Sequence, residues 1–337
     1  MRALQLQAVG QLALVDVPPP AIKSDQLLIR TGAATICTSD INDLRANPFN
    51  IPLPVILGHE GAGTVAAIGA AVEGFQIGDR VAAHPVHPCG RCDTCRRGLG
   101  HLCPHMEHFG LNLPGTLAEY FVVRADRARR LPAGADFAVA ALAEPICVCL
   151  EALAQARVSA GGSLLILGDG PFGVLMARLA GTLGLRRLVI AGHQPYRLGF
   201  ARAALAVNVA GEADPAPILR QAAGAGGFEA VILAVASEAA LQTGLACLEA
   251  RGRLVVFASL HGLTPVDLFT VQMRELEIVG AVNDADRLDE AVHRLTETPA
   301  LFADLVTQRF PLEAYSAAFD LAAAGQDRAL KVALVLE

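Results

Sequence analysis

Residues 163–191 place a glycine-rich loop between two apolar runs, and this arrangement restricts the fold more than any other feature of the sequence. Residues 163–167 predict a short buried strand, and residues 168–173 follow with the spacing G-x-G-x-x-G. Residues 174–183 then have the periodicity of an amphipathic helix, and residues 187–191 predict a second strand. A strand, a glycine loop and a helix in this order open the βαβ unit of a doubly wound parallel sheet.

The predicted parallel sheet extends beyond this unit, because apolar runs at residues 229–235, 253–258 and 276–281 alternate with helical segments. The glycine-rich loop at residues 168–173 is suited to binding a dinucleotide. Glycines let the backbone approach a pyrophosphate, and the helix start supplies N–H donors and a positive dipole end. The residues predicted to bind the cofactor at this loop are Gly168, Gly170, Pro171, Phe172 and Gly173.

The end of the second strand predicts which dinucleotide is bound. An NAD-specific site places Asp or Glu near this point to hold the ribose 2′-hydroxyl, whereas this chain has Gly192 followed by His193. The missing carboxylate removes repulsion against a 2′-phosphate, and Arg197 offers a cation that can pair with it. An ordinary surface position on a helix is the other interpretation of Arg197. The sequence therefore favours NADP(H) over NAD(H), with these three residues in the site.

A four-cysteine loop with the spacing C-x2-C-x2-C-x7-C is the most specific motif of the chain. Four thiolates so close in sequence can surround one tetrahedral zinc and leave no open position. An iron–sulfur cluster is the alternative for closely spaced cysteines. A closed four-thiolate site supports folding rather than turnover, so we interpret the motif as a structural zinc site. Its predicted ligands are Cys89, Cys92, Cys95 and Cys103.

A second group of metal-binding side chains lies nearer the start of the chain. Cys37 and His59 offer a thiolate and an imidazole, and the carboxylates of Asp40 and Glu60 flank them, which is a ligand set that zinc prefers. Ser39 adds a hydroxyl that can move a proton, and a structural metal site has no need of one. The segment therefore predicts a catalytic metal centre.

Glu144 follows in an apolar stretch, where it is either an acid at a helix start or a metal ligand turned inward, and both interpretations stay open. Five histidines surround the cysteine loop, and we interpret most of them as loop residues without a metal role. They are His84, His87, His101, His105 and His108.

Composition argues against several classes of partner. A net charge of −6 disfavours nucleic acid, and the arginine cluster at 124, 127, 129 and 130 is interpreted as a solvated loop. Without a run of roughly 18 apolar residues or the apolar core of a signal peptide, we expect neither a membrane span nor export. Eight cysteines then fit the reducing cytoplasm, where they bind metal or do chemistry.

The segments on either side of the parallel sheet predict a second, β-rich domain, and 337 residues are enough for two domains. Strands are predicted at residues 1–6, 12–17, 26–35 and 61–68, with a short helix opening at Cys37. The tail carries a helix at residues 289–295 and a last strand within residues 329–336. This strand is too far from the cofactor unit to extend its sheet, so we expect it to return to the first domain.

Together these motifs resemble the zinc-containing medium-chain dehydrogenase/reductase family, the alcohol and polyol dehydrogenases, over nearly the whole chain. The shared motifs are the residues 37–40, the run Gly58-His59-Glu60-x-x-Gly63 with Gly69, the run Gly78-Asp79-Arg80-Val81, Glu144-Pro145, the four cysteines and the glycine loop. The resemblance implies an α/β chain with a β-rich GroES-like catalytic domain at residues 1–150 and 287–337. It also implies a Rossmann domain at residues 151–286, with the active site in the cleft between the two.

The same resemblance implies roles for individual residues. The ligands of one catalytic zinc fall on Cys37, His59 and Glu144, with Glu60 adjacent and able to exchange with water as a further ligand. Asp40 matches an acid that orients the ligand histidine. With the cysteine loop, this gives two zinc ions per chain. Because relatives are commonly dimers or tetramers joined through the cofactor-domain sheet, a homodimer or homotetramer is implied as well.

Two positions depart from the family pattern. Many relatives carry a histidine five residues after the metal cysteine, which passes the proton from the Ser or Thr towards solvent, and here that residue is Asn42. Many polyol-type relatives carry a histidine where this chain has Glu151. The first departure puts the proton exit in question, and the second puts polyol specificity in question.

The prediction is a zinc-dependent oxidoreductase that transfers a hydride between an alcohol or polyol, or its carbonyl product, and NAD(P). One alternative is a zinc-independent NADPH enoyl or quinone reductase of the same fold, which does not need the set of Cys37, His59 and Glu144. The other is a dinucleotide-binding protein without turnover, and only Asn42 supports this alternative. The substrate is a small molecule, and no motif identifies it further.

Overall fold

The computed structural model describes residues 1–224, 226–325 and 329–336. The chain divides into two compact units: Met1–Cys147 with Ala285–Glu337, and Val148–Asp284. Residues 326–328 and 337 of the predicted tail, and residue 225 of the predicted Rossmann domain, lie outside the described residues.

The strands are β1 Arg2–Ala8, β2 Gln11–Asp16, β3 Gln26–Thr35, β4 Val55–Ile56, β5 Glu60–Ile68, β6 Arg80–Ala83, β7 Val86–His87, β8 Glu107–His108, β9 Tyr120–Arg124, β10 Ala128–Arg130, β11 Ser163–Leu167, β12 Arg187–Gly192, β13 Leu205–Asn208, β14 Phe228–Leu233, β15 Leu248–Val256, β16 Glu277–Gly280, β17 Val306–Pro311 and β18 Lys331–Val335. The helices are α1 Thr38–Ala46, α2 Asp93–Arg96, α3 Phe137–Ala140, α4 Ala143–Ala156, α5 Pro171–Ala180, α6 Pro195–Leu198, α7 Ala216–Ala223, α8 Glu238–Cys247, α9 Leu268–Met273, α10 Leu288–Glu297 and α11 Tyr315–Ala324.

The first unit is built on a seven-stranded sheet in which β3 pairs with β5, β9 and β18. Across β3, Thr35 lies opposite Glu60 of β5 and also opposite Ala333 of β18. The register therefore brings the start of β5 and the last strand to the two sides of Thr35. A three-stranded sheet (β2-β1-β4) and the hairpin of β7 and β8 complete the β-structure.

The second unit is a parallel sheet of six strands in the order β13-β12-β11-β14-β15-β16. This is a doubly wound sheet whose strand order reverses at β11, the strand that leads into the glycine loop. Its core packs buried side chains of β11, β14 and β15 against α8, among them Leu165, Val231, Leu254 and Leu245. The prediction of a β-rich domain combined with a Rossmann sheet is confirmed.

The structure differs from three local predictions made from the sequence. Helix α5 begins at Pro171 rather than residue 174, because a proline's fixed φ and missing N–H suit the first helical turn. Strand β13 was not predicted, since it is only four residues long and its side chains are largely exposed. The arginines between residues 124 and 130 do not form one solvated loop: Arg124 lies in β9 and pairs with Asp126, and Arg129 lies in β10 and pairs with Asp289.

One helical stretch of the described chain, Phe137–Ala156, has the length and apolar composition needed to cross a membrane. However, 83% of its most apolar window is buried in the protein. Burial of this kind is typical of a core helix in a water-soluble fold, so the stretch is weak evidence for a membrane span.

Candidate metal and cofactor sites

The start of helix α1 fixes the thiol of Cys37 beside the segment that carries His59. Cys37 is the last residue before the helix and has an extended backbone, and its N–H donates to Asp40 Oδ2 at 2.9 Å. The other oxygen of this buried carboxylate accepts the N–H of Gly58 at 3.2 Å. Asp40 therefore joins two segments of the chain that are distant in sequence.

Cys37, His59 and Glu60 form one cluster, in which one ligand atom from each lies within 4.8 Å of the others. Asp40 Oδ1 lies 3.5 Å from His59 Nδ1, which leaves Nε2 for other contacts, and Ser39 Oγ is 3.5 Å from Nε2. Burial alone would lower the pKa of His59, but the charges of Asp40 and Cys37 outweigh it and raise the pKa well above its usual value. The cluster joins a thiol, an imidazole and a carboxylate, the donor types that zinc prefers, and the negative charge beside His59 favours a cation there.

Glu60 is fully buried and has two partners. Its Oε1 accepts a hydrogen bond from Lys331 Nζ at 2.6 Å, and its Oε2 accepts one from the Thr35 hydroxyl. Lys331 lies on β18 and is only 3% exposed. It is a residue of this site that was not predicted from the sequence. Burial would lower the pKa of Lys331, but the charge of Glu60 raises it above the usual value, so the ammonium stays charged.

Glu144 lies at the start of α4, outside the group of three whose ligand atoms meet within 4.8 Å. It is 6% exposed, and its Oε2 is a buried oxygen for which the described residues provide no hydrogen-bond donor. Burial, with a contribution from Glu60, raises its pKa to about 7. A buried carboxylate oxygen without a donor is costly, and a metal ion would satisfy it.

The residues around the cluster include three buried histidines, and the two positions that depart from the family pattern are Asn42 and Glu151. His87 and His108 lie in the short strands β7 and β8 rather than in a loop, whereas His84 lies in the connection between β6 and β7; all three are buried. The ring of His108 lies 5.7 Å from that of His59, and burial lowers the pKa of His108 to about 3, so it is neutral. Asn42 is exposed on α1. Glu151 is buried in α4 and accepts a hydrogen bond from Gln155.

The four cysteines of the loop converge as predicted from their spacing. The sulfur–sulfur distances are 3.9 Å for Cys89–Cys95, 3.4 Å for Cys92–Cys95 and 3.8 Å for Cys92–Cys103. Sulfurs bound at about 2.3 Å to one tetrahedral zinc lie roughly 3.8 Å apart, so these distances fit that ion.

The acidity of the cysteine thiols also fits a bound cation. Hydrogen bonds from the backbone of Arg91 and Cys92 lower the pKa of Cys89 to about 6. Partial burial and the neighbouring sulfurs raise the pKa of Cys95 to about 12. Four sulfurs at these distances cannot all ionise unless a cation compensates their charge.

The glycine loop has the room that a pyrophosphate requires. Gly170 ends the loop just before α5, and a Cβ at this position would meet no atom within 4 Å. At Gly173 a Cβ would lie 1.9 Å from the carbonyl oxygen of Gly168, so only glycine lets the helix approach the strand this closely. Phe172 packs edge-on against Phe257, with ring centroids 5.2 Å apart.

A cavity of about 560 Å³ adjoins this loop in the second unit. Gly168, Gly192 and His193 line it, and apolar side chains such as Leu167 and Val209 form its walls. Gly192 ends β12, and His193 and Arg197 follow in the next turn and in α6. The dimensions and the position, at the carboxyl ends of the parallel strands where the strand order reverses, suit the adenosine half of a dinucleotide.

Two family profiles match the chain over most of its length. The profile described as "Alcohol dehydrogenase GroES-like domain" matches residues 23–133, and the one described as "Zinc-binding dehydrogenase" matches residues 171–297. The first covers the cluster of Cys37, His59 and Glu60 together with the four cysteines. The second begins within the glycine loop.

Individual proteins are similar to the chain from end to end. An L-threonine 3-dehydrogenase of Anaeromyxobacter dehalogenans is 30% identical over 92% of this chain and 92% of its own length. A sorbitol dehydrogenase of Bacillus subtilis is 28% identical over 98% of this chain and 96% of its own. Among solved structures, the alcohol dehydrogenase TADH from Thermus sp. ATN1 has a TM-score of 0.90 and 27% identity, with 100% of both chains covered.

Proposed function

This chain belongs to the zinc-containing medium-chain dehydrogenase/reductase family, and from that premise we propose how its own residues carry out the family's reaction. The enzyme is a zinc-dependent oxidoreductase that transfers a hydride between an alcohol or polyol, or the corresponding carbonyl compound, and NAD(P). The observation that carries the proposal is the buried cluster in which the ligand atoms of Cys37, His59 and Glu60 lie within 4.8 Å of one another.

We assign the catalytic zinc to Cys37, His59 and Glu144, with Glu60 as a ligand that can exchange. The buried Glu144 oxygen without a donor supports this assignment, as does the preference of zinc for mixed sulfur, nitrogen and oxygen ligands. When bound, the zinc supplies Lewis acidity that lowers the pKa of an alcohol or polarises a carbonyl, and the nicotinamide supplies the hydride acceptor or donor. Asp40 fixes the orientation of the His59 ring. Lys331 balances the negative charge of Glu60 when that carboxylate is not a zinc ligand.

Ser39 is the proposed first acceptor of the proton that leaves the substrate hydroxyl. Its half-buried hydroxyl lies in the first turn of α1, 3.5 Å from His59 Nε2, and can both accept and donate a hydrogen bond. The exposed Asn42 has no group that titrates near neutral pH. The proton therefore has to pass from Ser39 through another route, such as a cofactor hydroxyl or water.

The four-cysteine loop is the proposed site of a second, structural zinc, which brings the expected content to two zinc ions per chain. Its support is the set of sulfur–sulfur distances between 3.4 and 3.9 Å. With all four positions taken by thiolates, such an ion has no place for a substrate.

The dinucleotide contacts the loop at Gly168–Gly173 through Gly168, Gly170, Pro171, Phe172 and Gly173, with Gly192, His193 and Arg197 beyond it. A preference for NADP(H) stays a prediction that rests on Gly192 and Arg197. A solved structure described as a zinc-binding dehydrogenase of Sinorhizobium meliloti bound to NADP has 25% identity and a TM-score of 0.91, with 99% of this chain and 98% of its own covered. The carboxylates that line the cavity favour NAD(H) instead.

The alternative functions have less support. A zinc-independent enoyl or quinone reductase has no use for a buried thiol–imidazole–carboxylate cluster. A silent dinucleotide-binding protein has no reason to retain Ser39 beside His59, and Asn42 alone does not outweigh the cluster.

Association through the parallel sheet is proposed for the second unit. Its edge strand β16 exposes Ile278, and the neighbouring α9 exposes Leu268, Phe269 and Met273. An edge strand next to large exposed apolar side chains is typical of a surface that a partner covers, so a homodimer or homotetramer is proposed. A cytoplasmic location is proposed as well, because no disulfide joins the eight cysteines in the described part of the chain.

The replacement Cys37→Ala tests the proposed function, with Cys247→Ala as a control at a buried cysteine outside both metal clusters. Purified protein is assayed for zinc per chain and for turnover on a panel of alcohols and polyols with NAD and NADP in parallel. We expect about two zinc ions in the wild type and the control, and about one with no turnover in Cys37→Ala. Undiminished turnover in Cys37→Ala would refute the assignment.

A further inference from the structure

The side chain of Asp169, the second residue of the glycine loop, reaches across to the end of β12. Its Oδ2 accepts the backbone N–H of His193 at 2.8 Å and that of Gln194 at 2.6 Å. Two adjacent N–H groups of this kind form a concavity that binds anions. In this chain the carboxylate of Asp169 already occupies it, so a 2′-phosphate would have to displace that carboxylate.

The same carboxylate fills the space next to Gly192. A Cβ added to Gly192 would lie 2.3 Å from both Cβ and Cγ of Asp169 and 2.4 Å from its Oδ2. Position 192 is where sheets of this type carry the acid that hydrogen-bonds the ribose 2′-hydroxyl. The carboxylate that position 192 lacks is therefore supplied from position 169, and Oδ1 has lone pairs left for a hydroxyl.

The charged side chains that line the cavity also disfavour binding of a 2′-phosphate. Asp169, Glu212 and Asp214 contribute three carboxylates, whereas no Lys or Arg is found among the described residues that line it. Arg197 lies in α6, where burial lowers its pKa and the charge of Asp169 offsets only part of this effect. The cation on which the NADP prediction depends is thus within electrostatic reach of a carboxylate.

We propose that Asp169 is the specificity-determining residue of the cofactor site: it accepts the ribose 2′-hydroxyl of NAD(H) and excludes the 2′-phosphate of NADP(H). The proposal rests on the proposed function, because it places the adenosine half of the cofactor in this cavity. It reverses the preference expected from the absence of an acid at position 192.

The test is calorimetric titration of the full chain with NAD, NADP, ADP-ribose and 2′-phospho-ADP-ribose. The two ADP-ribose ligands lack nicotinamide, so their binding reports the adenosine site without hydride transfer. For the wild type we expect each unphosphorylated ligand to bind at least about tenfold more tightly than its 2′-phosphorylated partner. In Asp169→Asn, which removes the charge and keeps the shape, that ratio should shrink at least about fivefold.

A second variant moves the carboxylate back to the usual position. Asp169→Gly should lose the discrimination. Asp169→Gly combined with Gly192→Asp should regain it, because the loss of Cβ at position 169 makes room for a side chain at position 192. Glu275→Gln removes a surface carboxylate outside the cavity and should leave the ratio as in the wild type, and circular dichroism confirms that each variant is folded.

Equal or tighter binding of the phosphorylated ligands by the wild type overturns the proposal, as does an unchanged ratio in Asp169→Asn. Failure of the proposed function is a different result, in which the ratio is as expected but no substrate is turned over. Absence of binding by all four ligands refutes both.

Discussion

Replacing Lys331 with methionine tests the contact between β18 and β5 that the sequence does not reveal. The ammonium and the Glu60 carboxylate are 2.6 Å apart, and both are buried. At an effective dielectric constant of about 20 their attraction is roughly 6 kcal/mol, and most of it offsets the cost of taking both charges out of water. The variant removes the attraction but leaves the buried carboxylate.

The expected loss is near the lower end of the range for a broken buried pair, about 3 kcal/mol. It is not larger because the Thr35 hydroxyl still donates to Glu60 and a hydrogen bond to a charged group contributes about 1.5–3 kcal/mol. For a unit of about 200 residues this corresponds to a fall in the thermal midpoint of roughly 6–12 °C. The midpoint is followed by circular dichroism on protein with a fixed zinc content.

The chain offers a matched control, because its only other lysine is Lys23, an exposed residue before β3. Lys23→Met should change stability by less than about 0.5 kcal/mol. Glu60→Gln alone should cost about as much as Lys331→Met, while the double variant should be at least about 2 kcal/mol more stable than the sum of the two losses. A shift in Lys331→Met no larger than that of the lysine control, or additive losses in the cycle, would show that the pair does not stabilise the site.

Four further predictions concern the metal loop, the cofactor loop and the exposed edge of the parallel sheet. In Cys103→Ser we expect zinc to fall from about two to one per chain and the thermal midpoint to fall, with turnover retained below the midpoint; loss of turnover with both zinc ions present would contradict the structural role. Gly173→Ala should destabilise by about 1–3 kcal/mol and weaken dinucleotide binding, because its methyl group would collide with the Gly168 carbonyl. Gly170→Ala should change stability by no more than about 1 kcal/mol and yet weaken binding about tenfold or more in calorimetric titration, since its methyl group enters the space left for the pyrophosphate; unchanged affinity would show that the pyrophosphate binds elsewhere. Phe269→Asp should shift the mass measured by light scattering towards the monomer, and an unchanged oligomer would place the association surface elsewhere.

Features that are local in sequence could be predicted well. The glycine loop could be identified from six residues between a predicted strand and a predicted helix. The four cysteines could be predicted to converge because they are so close in sequence. The predicted strand at residues 26–35 agrees with β3 at both ends.

Features that depend on distant pairing could not be predicted in the same way. Lys331 is a single charge in an apolar strand, and nothing in its neighbourhood identifies Glu60 as its partner. Asp169 occupies a variable position of the glycine motif, so the pattern gives no expectation for its side chain. Its contact with the turn after Gly192 depends on how closely β11 and β12 lie side by side.

The pairing of β18 with β3 has a consequence for the order in which this enzyme is made. The charge partner of Glu60 is 271 residues further along the chain. At about 5–20 residues per second, a ribosome needs between a quarter of a minute and a minute to reach it. All of the parallel sheet is synthesised in this interval and can fold as a unit, while Glu60 and the β18 side of β3 still lack their partners. Nascent chains halted before residue 331 should therefore carry a folded cofactor domain and an unfinished metal centre, which protease sensitivity at successive lengths can reveal.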